Sequence, residues 1–470
     1  MVQTLVNNTG SSVSDEAVAA FAASIRGKVM TPGDAGYDEA RKIFNGMIDR
    51  KPGLIAQPAD TGDVQKCVNF ARENGLLVSV KCGGHAASGH AVCEGGLMID
   101  LRKLNSIVVD PAARTAIAGG GTHWGELDAA TQEHGLAVTG GRVPSTGIGG
   151  LTLGSGSGWL ERKLGYTVDN MIGAEVVTAD GSILQANETE NPDLFWGLRG
   201  GGGNFGIVTK FEYRLHSVGP MVYGGMLVFP RFRAAEVIRG YRDFMETADD
   251  DIGGGVALVC APPEEFVPEP MHGMPVVGII VCYTGDPENA ETALKPIMDL
   301  QPVMAMTQPM PYLELQKLIE AGNPPGLQNY WKADMYPVLP DDAIDALVAA
   351  AAEPPSTTTT VLVQPQGGAT ARVPDGETAL GWRGAKWSIH YLGMWEDPAE
   401  DEAQIEWVRK IAEAMKPWAQ EGTYLNYLSD EGEDRVKESF GVHYKRMEEL
   451  KDKYDPENFF RLNQNIRPSR

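Results

Sequence analysis

Three glycine-rich stretches carry the residues best suited to chemistry: KCGGHAASGH (81–90), GRVPSTGIGGLTLGSGSGW (141–159) and GGGGNFG (200–206). Runs of bare backbone N–H groups make anion-binding nests, and a pyrophosphate is an anion they suit. Tight turns between strands are the simpler use of any one cluster. Three within 126 residues point to cofactor binding, since 27 of the 56 glycines fall in residues 81–206. That region needs backbone freedom or a close backbone approach to something. The commoner signatures are missing from the sequence: no G-x-x-x-x-G-K-[ST], no H-E-x-x-H, no G-x-S-x-G, and no strand–GxGxxG–helix unit opening the chain. His85 and His90 have helical-face spacing, but the GGH before them argues for a loop, and no metal site is expected.

The elements that must position these stretches change character along the chain. A helix is expected over 37–58, an amphipathic helix from Asp60 to Asn74 with a stop at Gly75, and another over 123–133. Short apolar, β-branched runs at 76–80, 97–101, 106–109, 115–118, 172–179, 183–186 and 207–215 read as strands, with a short helix near 191–198. From about 217 longer strands are expected at 221–229, 274–283, 327–338, 358–366 and 385–394. Helices at 232–247, 287–298, 341–352 and 401–416 separate them, the pattern of one antiparallel sheet with helices on a face. A helix near 433–453 and the tail DPENFFRLNQNIRPS close the chain. The mixture is α+β.

Composition narrows the partners. The 470 residues have 43% apolar and 22% charged side chains, the profile of a globular chain of two or three units. A net charge of −23 repels phosphate backbones and anionic bilayers, so neither nucleic acid nor membrane is expected as a partner. Five cysteines cannot all pair and form no C-x-x-C, which fits a reducing compartment. The first residues lack a basic segment followed by a long apolar one, so no secretory signal is expected and the location expected is cytoplasmic.

The segments VKCGGHAASGHAVCEGGLMIDL, STGIGGLTLGSGSGWLERKLGYTVDN, VVTADGSILQANETENPDLFWGLRGGGGNFGIVT, YLNY and YDPENFFRLNQNI belong together. With them the chain, from about residue 37 to 470, resembles the berberine-bridge-enzyme-like branch of the vanillyl-alcohol-oxidase (PCMH-type) flavoproteins. Within that branch it is similar to bacterial 6-hydroxynicotine-oxidase-like and flavin-N5-oxide-type members. The resemblance implies an FAD-binding domain in two pieces, 37–216 and the returning segment 419–470, around a substrate domain at 217–418.

It also implies roles. His85 is the histidine that bonds covalently to the flavin 8α-methyl. A second covalent link needs a cysteine where this chain has Val143, so one link is expected. Backbone groups of Cys82, Gly83, Gly84, His85 and Ala86 are expected to cradle the pyrophosphate, with Lys81 and Gly89 in the same motif. Gly147, Gly149, Gly150 and Gly154 let the backbone approach the cofactor. Val177 is expected to contact the adenine through its strand backbone, and Asn463 and Tyr427 to touch the flavin or its ribityl chain. Residues 200–206 stay open between a turn and a cofactor contact. Lys81 and Cys82 replace the usual Arg and Gly/Ser, and Gly154–Ser155 a common Gly-Gly. Thr146 is the residue that gates oxygen, here small enough to admit it.

The implied chemistry is hydride transfer from a C–H next to O or N, which needs a base and close positioning. Tyr424 and Tyr427 of YLNY are the candidate bases. Leu362, Gln364 and Gln366 alternate onto one strand face by period two and offer no carboxylate, so Gln364 and Gln366 are expected to hydrogen-bond substrate. Tyr330, Lys332, Trp387 and Ser157 are further pocket candidates, and His390 a candidate acid/base. The function expected is an FAD-dependent oxidase of a small molecule, with O2 as acceptor and H2O2 as product. An N5-oxide oxygenase or oxidative cyclase, a dehydrogenase with another acceptor, and a flavin carrier remain alternatives. Substrate identity and oligomeric state are left open.

Overall fold

A computed structural model describes residues 5–263, Val267 and 269–470. Three sheets carry the molecule. The first is small and mixed, with the order Lys28–Met30, Leu54–Gln57, Leu97–Asp100, Val78–Lys81; the two strands flanking Leu97–Asp100 run parallel to it. The helix Thr61–Glu73 covers it, capped by the Asp60 carboxylate on the Asp63 N–H and burying Val64, Cys67, Val68 and Ala71. The second sheet is antiparallel, in the order Ile107–Asp110, Thr115–Gly119, Ile207–Arg214, Met171–Val177, Ile183–Asn187. Leu425, Phe440, Met447, Leu450 and Ile466 pack into its core, so the C-terminal segment returns to this unit.

The third sheet has seven antiparallel strands in the order Met304–Pro311, Met221–Pro230, Pro275–Tyr283, Ile252–Cys260, Thr360–Pro365, Trp387–Trp395, Gln328–Tyr336. Helices Ala234–Met245, Asp341–Ala350 and Asp401–Met415 bury one face of it through residues such as Leu227, Val256, Val361, Ile389 and Tyr336. Side chains of opposite parity, among them Met226, Ala257, Leu362 and Leu392, face the other way, toward a cavity.

Several expected elements differ. The helix expected over 37–58 spans only Tyr37–Arg41. Beyond it Asn45 ties the chain to Ala87 O and Asn329 O (2.7 and 2.9 Å), and Asn329 N–H donates back to Asn45 Oδ1 (3.0 Å). The helix expected over 287–298 is broken into Ala290–Ala293 and Lys295–Met298, with Pro296 inside the second. That near 433–453 splits into Glu433–Phe440 and Tyr444–Tyr454 at Gly441, whose φ is +49°. Strands Ile252–Cys260 and Met304–Pro311 were not expected. The helix Asp15–Ser24 and strand Lys28–Met30 extend the first unit ahead of residue 37.

Candidate active site

One cavity of about 1220 Å³ lies between the second sheet, the glycine loops and the free face of the third sheet. Two glycine loops form its cradle, and they meet backbone to backbone. A Cβ on Gly83 would sit 2.2 Å from Gly147 N, and one on Gly147 would sit 2.2 Å from Gly83 N. No side chain fits that contact, which is why both positions are glycine. Cys82 Sγ packs beneath, 3.4 Å from Thr122 O, and Ile148 N–H donates to the same carbonyl at 2.9 Å.

From the cradle the cavity is lined by Cys82, Gly83, Gly84, His85 and Ala86 on one side. Thr146, Gly147, Gly149, Gly150 and Gly154 line the other. Gly202, Gly203 and Gly206 join them, so the third glycine cluster also faces the cavity. A Cβ on Gly150 or Gly203 would meet nothing within 4 Å, so there bare backbone faces open space. Asn463 donates its amide to Gly203 O and Phe460 O (3.0 Å each), and its Oδ1 is buried without a protein partner. A long room with glycine walls and an orphaned acceptor fits a dinucleotide such as FAD. Those loops and Asn463 would hold it.

His85 stands at the wall of this room. Its ring stacks on Phe44 at 4.4 Å between centroids, and Nε2 lies 2.9 Å from Ser145 Oγ. Burial pushes its pKa down to about 4, so the imidazole is neutral at pH 7.

Tyr424 and Tyr427 meet at the inner end, 5.2 Å between centroids, on a short 3-10 turn over Leu425–Tyr427. Tyr424 is buried; its Oη accepts from Ser157 N–H at 2.9 Å and from Asn426 Nδ2 at 3.1 Å. Tyr427 packs against Trp331 (5.6 Å) and His390 (4.3 Å) and presents its hydroxyl beside Arg142. Burial raises the Tyr427 pKa, and the Arg142 guanidinium pulls it back.

Arg142 and Glu161 were not singled out from the sequence, yet they organise this end. The Arg142 guanidinium lies over the Trp159 ring at 4.7 Å, donates to Ser157 Oγ at 3.0 Å and stands 3.7 Å from Glu161 Oε1. Glu161 is buried and accepts from Ser157 Oγ, Gly158 N–H (3.1 Å) and Gln366 Nε2 (3.1 Å). Burial raises its pKa and Arg142 opposes the rise. The sequence did signal them weakly: both lie in the quoted glycine motif or directly after it.

Several expected site residues lie elsewhere. Lys81 turns away from the cavity and donates to Ala40 O (2.8 Å) and Lys42 O, tying down the preceding loop; burial lowers its pKa to about 8. Gly89 forms a turn with φ +72°, its N–H donating to Ala86 O at 3.0 Å. The Val177 side chain sits in the core of the first unit, while Ile207, opposite it on the ladder, and the next residue Val208 line the cavity. Gln364 and Gln366 share the cavity-side face but lie past its end: Gln364 faces the Arg142 guanidinium and Gln366 accepts from Tyr166 Oη. His390 is buried behind Tyr427, hydrogen-bonded to Ser388 Oγ at 2.7 Å, and burial with Arg142 nearby holds it neutral. Trp387 has the opposite parity and packs on Tyr241 in the helix-covered core. Tyr330 and Lys332 likewise point off the cavity and both contact Glu431; Trp331 between them is the lining residue. Ser157 lines the cavity.

No group of three or more His, Cys, Asp or Glu among the described residues could hold a metal ion. No helix among them is long and apolar enough to cross a membrane.

Residues 52–187 match the FAD binding domain family, and residues 423–467 match the family described as berberine and berberine like. With relatives at 30–31% identity over 95% of its length, the chain is an FAD-linked oxidoreductase. It is 31% identical to (R)-6-hydroxynicotine oxidase of Paenarthrobacter nicotinovorans, over 95% of this chain and 97% of that protein. The crystal structure of 6-hydroxy-D-nicotine oxidase from Arthrobacter nicotinovorans superposes with a TM-score of 0.84 at 30% identity, covering 94% of this chain and 98% of that one. The fold is shared with glucooligosaccharide oxidase from Acremonium strictum, at TM-score 0.86 and 24% identity over 97% and 99% of the two chains. That enzyme carries a 6-S-cysteinyl, 8α-N1-histidyl FAD. The chain belongs to the berberine-bridge-enzyme-like FAD-linked oxidoreductases of the vanillyl-alcohol-oxidase superfamily.

Proposed function

We propose that this protein is an oxidase holding FAD through a single covalent bond to His85 and oxidising a CH–OH or CH–NH group of a small molecule. The observation that carries this reading is the half-buried His85, stacked on Phe44 and held by Ser145 on the wall of the same cavity that Tyr427 enters. Bound FAD would accept the hydride and pass both electrons to O2, giving H2O2.

The chain supplies the rest. Ser145 holds His85 Nε2, which leaves Nδ1 as the nitrogen available for the bond. Val143 stands where a cysteine would have to be for a second link. Tyr427, as the phenolate that the Arg142 guanidinium stabilises, takes the substrate's hydroxyl or amine proton at Oη and becomes the neutral phenol. Tyr424 fixes the turn through Ser157 N–H and Asn426, so Tyr427 keeps its angle to the substrate. His390 backs the Tyr427 ring and stays uncharged, a positioning role. Thr146 lines the cavity with a side chain small enough to leave room for O2.

The test is an absorption spectrum of the purified protein, repeated on the acid-precipitated pellet, followed by a peroxide assay over alcohols, sugars and amines. A yellow pellet with one H2O2 per substrate oxidised supports the oxidase. Oxidation with dye reduction and no peroxide makes it a dehydrogenase, and oxygen incorporated into product makes it an oxygenase. A protein that binds no flavin refutes the reading.

A further inference from the structure

Beyond the cradle, the cavity runs across the free face of the third sheet, and nothing in the hydride chemistry requires that extension. Its floor is built strand by strand from Met306 and Met304, Met226 and Val228, then Leu362 and Leu392. From the Met304–Pro311 strand to the Trp387–Trp395 strand there are five inter-strand spacings, roughly 24 Å at about 4.8 Å each. Over that span the described floor residues carry mainly thioethers and aliphatic groups, with Gln308 on the edge strand and Thr360 at the start of the Thr360–Pro365 strand as polar exceptions. Among the described residues lining this half, the one formal charge is Lys317, whose side chain is half exposed and pairs with Glu314 at 3.1 Å. Tyr427, Ser157 and the Arg142 guanidinium stand at the opposite end.

We infer that the substrate is an amphipathic small molecule: one oxidisable polar end at Tyr427 and an extended apolar body lying along the methionine-floored sheet. The inference rests on the oxidoreductase reading above and adds the substrate class. A hydroxyl-rich body such as an oligosaccharide would leave several hydroxyls against thioether and alkyl groups, each costing about 1–3 kcal/mol unpartnered. An alkyl, prenyl or fused-ring body gains instead from each methylene placed there. Unbranched methionine side chains adapt to different apolar shapes, so the floor selects for apolarity and length more than for one outline.

The experiment uses flavin-loaded protein, with flavin content fixed beforehand from its spectrum. The probes are 1-butanol, 1-hexanol, 1-octanol, 1-dodecanol and cellobiose, each titrated while the flavin absorption band is followed. The expected Kd falls about fourfold per added methylene over the first part of the series, and cellobiose leaves the band unchanged. Met306→Asp, on the edge strand with a half-buried side chain, is expected to bring 1-octanol back to within a few-fold of 1-butanol without altering flavin content. Met226→Thr is the milder companion and is expected to act in the same direction. Kd values independent of chain length, cellobiose binding as tightly as 1-octanol, or no perturbation by any alcohol in flavin-replete protein would overturn the inference. A protein without flavin would instead overturn the cofactor reading. In that case Trp331 fluorescence reports the chain-length dependence, with Trp331→Phe as its control.

Discussion

His85 and Ser145 face each other across the cradle, Nε2 to Oγ at 2.9 Å, with Phe44 stacked on the imidazole. The contact engages Nε2 and leaves Nδ1 as the free ring nitrogen, and burial keeps the imidazole neutral above about pH 4. His85→Ala is expected to leave the cradle intact, so flavin still binds, but acid precipitation should release all colour into the supernatant. Ser145→Ala should slow covalent incorporation without abolishing it, seen as a pellet that yellows over hours of incubation with FAD. A yellow pellet from His85→Ala would place the anchor elsewhere.

Arg142 beside Tyr427 makes a pH-dependent prediction. The guanidinium lowers the pKa of the phenol that burial has raised. Removing the positive charge therefore moves that pKa further up, and less of the base is available at neutral pH. Arg142→Gln should lower kcat/KM at pH 7 by about 10–100-fold, with partial recovery as pH rises. Arg142→Lys keeps the charge and should shift the profile less. Tyr427→Phe should lose activity at every pH. An Arg142→Gln profile parallel to the wild type would show that the arginine acts on structure alone.

Much of the cradle was legible because close backbone contact leaves glycine as the one residue that fits, as between Gly83 and Gly147. The same logic misled at Ile252–Cys260. There GGG reads as a breaker, yet a Cβ on Gly253 would lie 2.1 Å from Trp159 O and one on Gly254 2.0 Å from Ile280 O, so these glycines serve a crowded central strand. Prolines hid the edge strand Met304–Pro311, an edge position being where a sheet accepts them. Period two put Leu362, Gln364 and Gln366 on one face but carries no information on where along the strand the cavity ends. On Gln328–Tyr336 nearly every residue is buried on both sides, so the pattern could not tell Trp331 from Tyr330 and Lys332. Arg142 and Glu161 were missed because a buried ion pair is a matter of tertiary approach, not of spacing.

Ser155 takes φ +98° inside the loop that lines the cradle, a conformation L side chains rarely adopt. The loop holds it there through Ser155 N–H to Thr152 O (3.0 Å) and Val168 N–H to Ser155 O (3.1 Å). Such backbone strain costs on the order of 1–3 kcal/mol, and glycine's greater freedom in the unfolded chain offsets part of any relief. Ser155→Gly should raise stability by about 1 kcal/mol in urea unfolding, with flavin content unchanged. Equal or lower stability would mean the serine side chain contributes more than its strain costs.

Asp128 gives the fold a pH dependence away from the chemistry. It lies on the helix Trp124–Gln132, buried against the short helix Tyr312–Gln316, where Gln316 Nε2 donates to its Oδ2 at 2.9 Å and its Oδ1 has no partner. Burial raises its pKa to about 7, with the Gln316 bond opposing. In the unfolded chain the carboxyl ionises near 3.8. Between those values the folded state holds a proton that the unfolded state has lost, so this group's contribution to stability falls as pH rises through the window. Below the lower value it imposes no penalty; above about 7 the penalty is complete, on the order of 4 kcal/mol. Asp128→Asn cannot ionise and still accepts from Gln316. It should be more stable than the wild type at pH 8, by up to a few kcal/mol, and the gap should close as pH falls toward 4. Urea unfolding at pH 4, 6 and 8 measures this directly. A gap that stays constant with pH would show that Asp128 ionises in the folded protein as readily as in water.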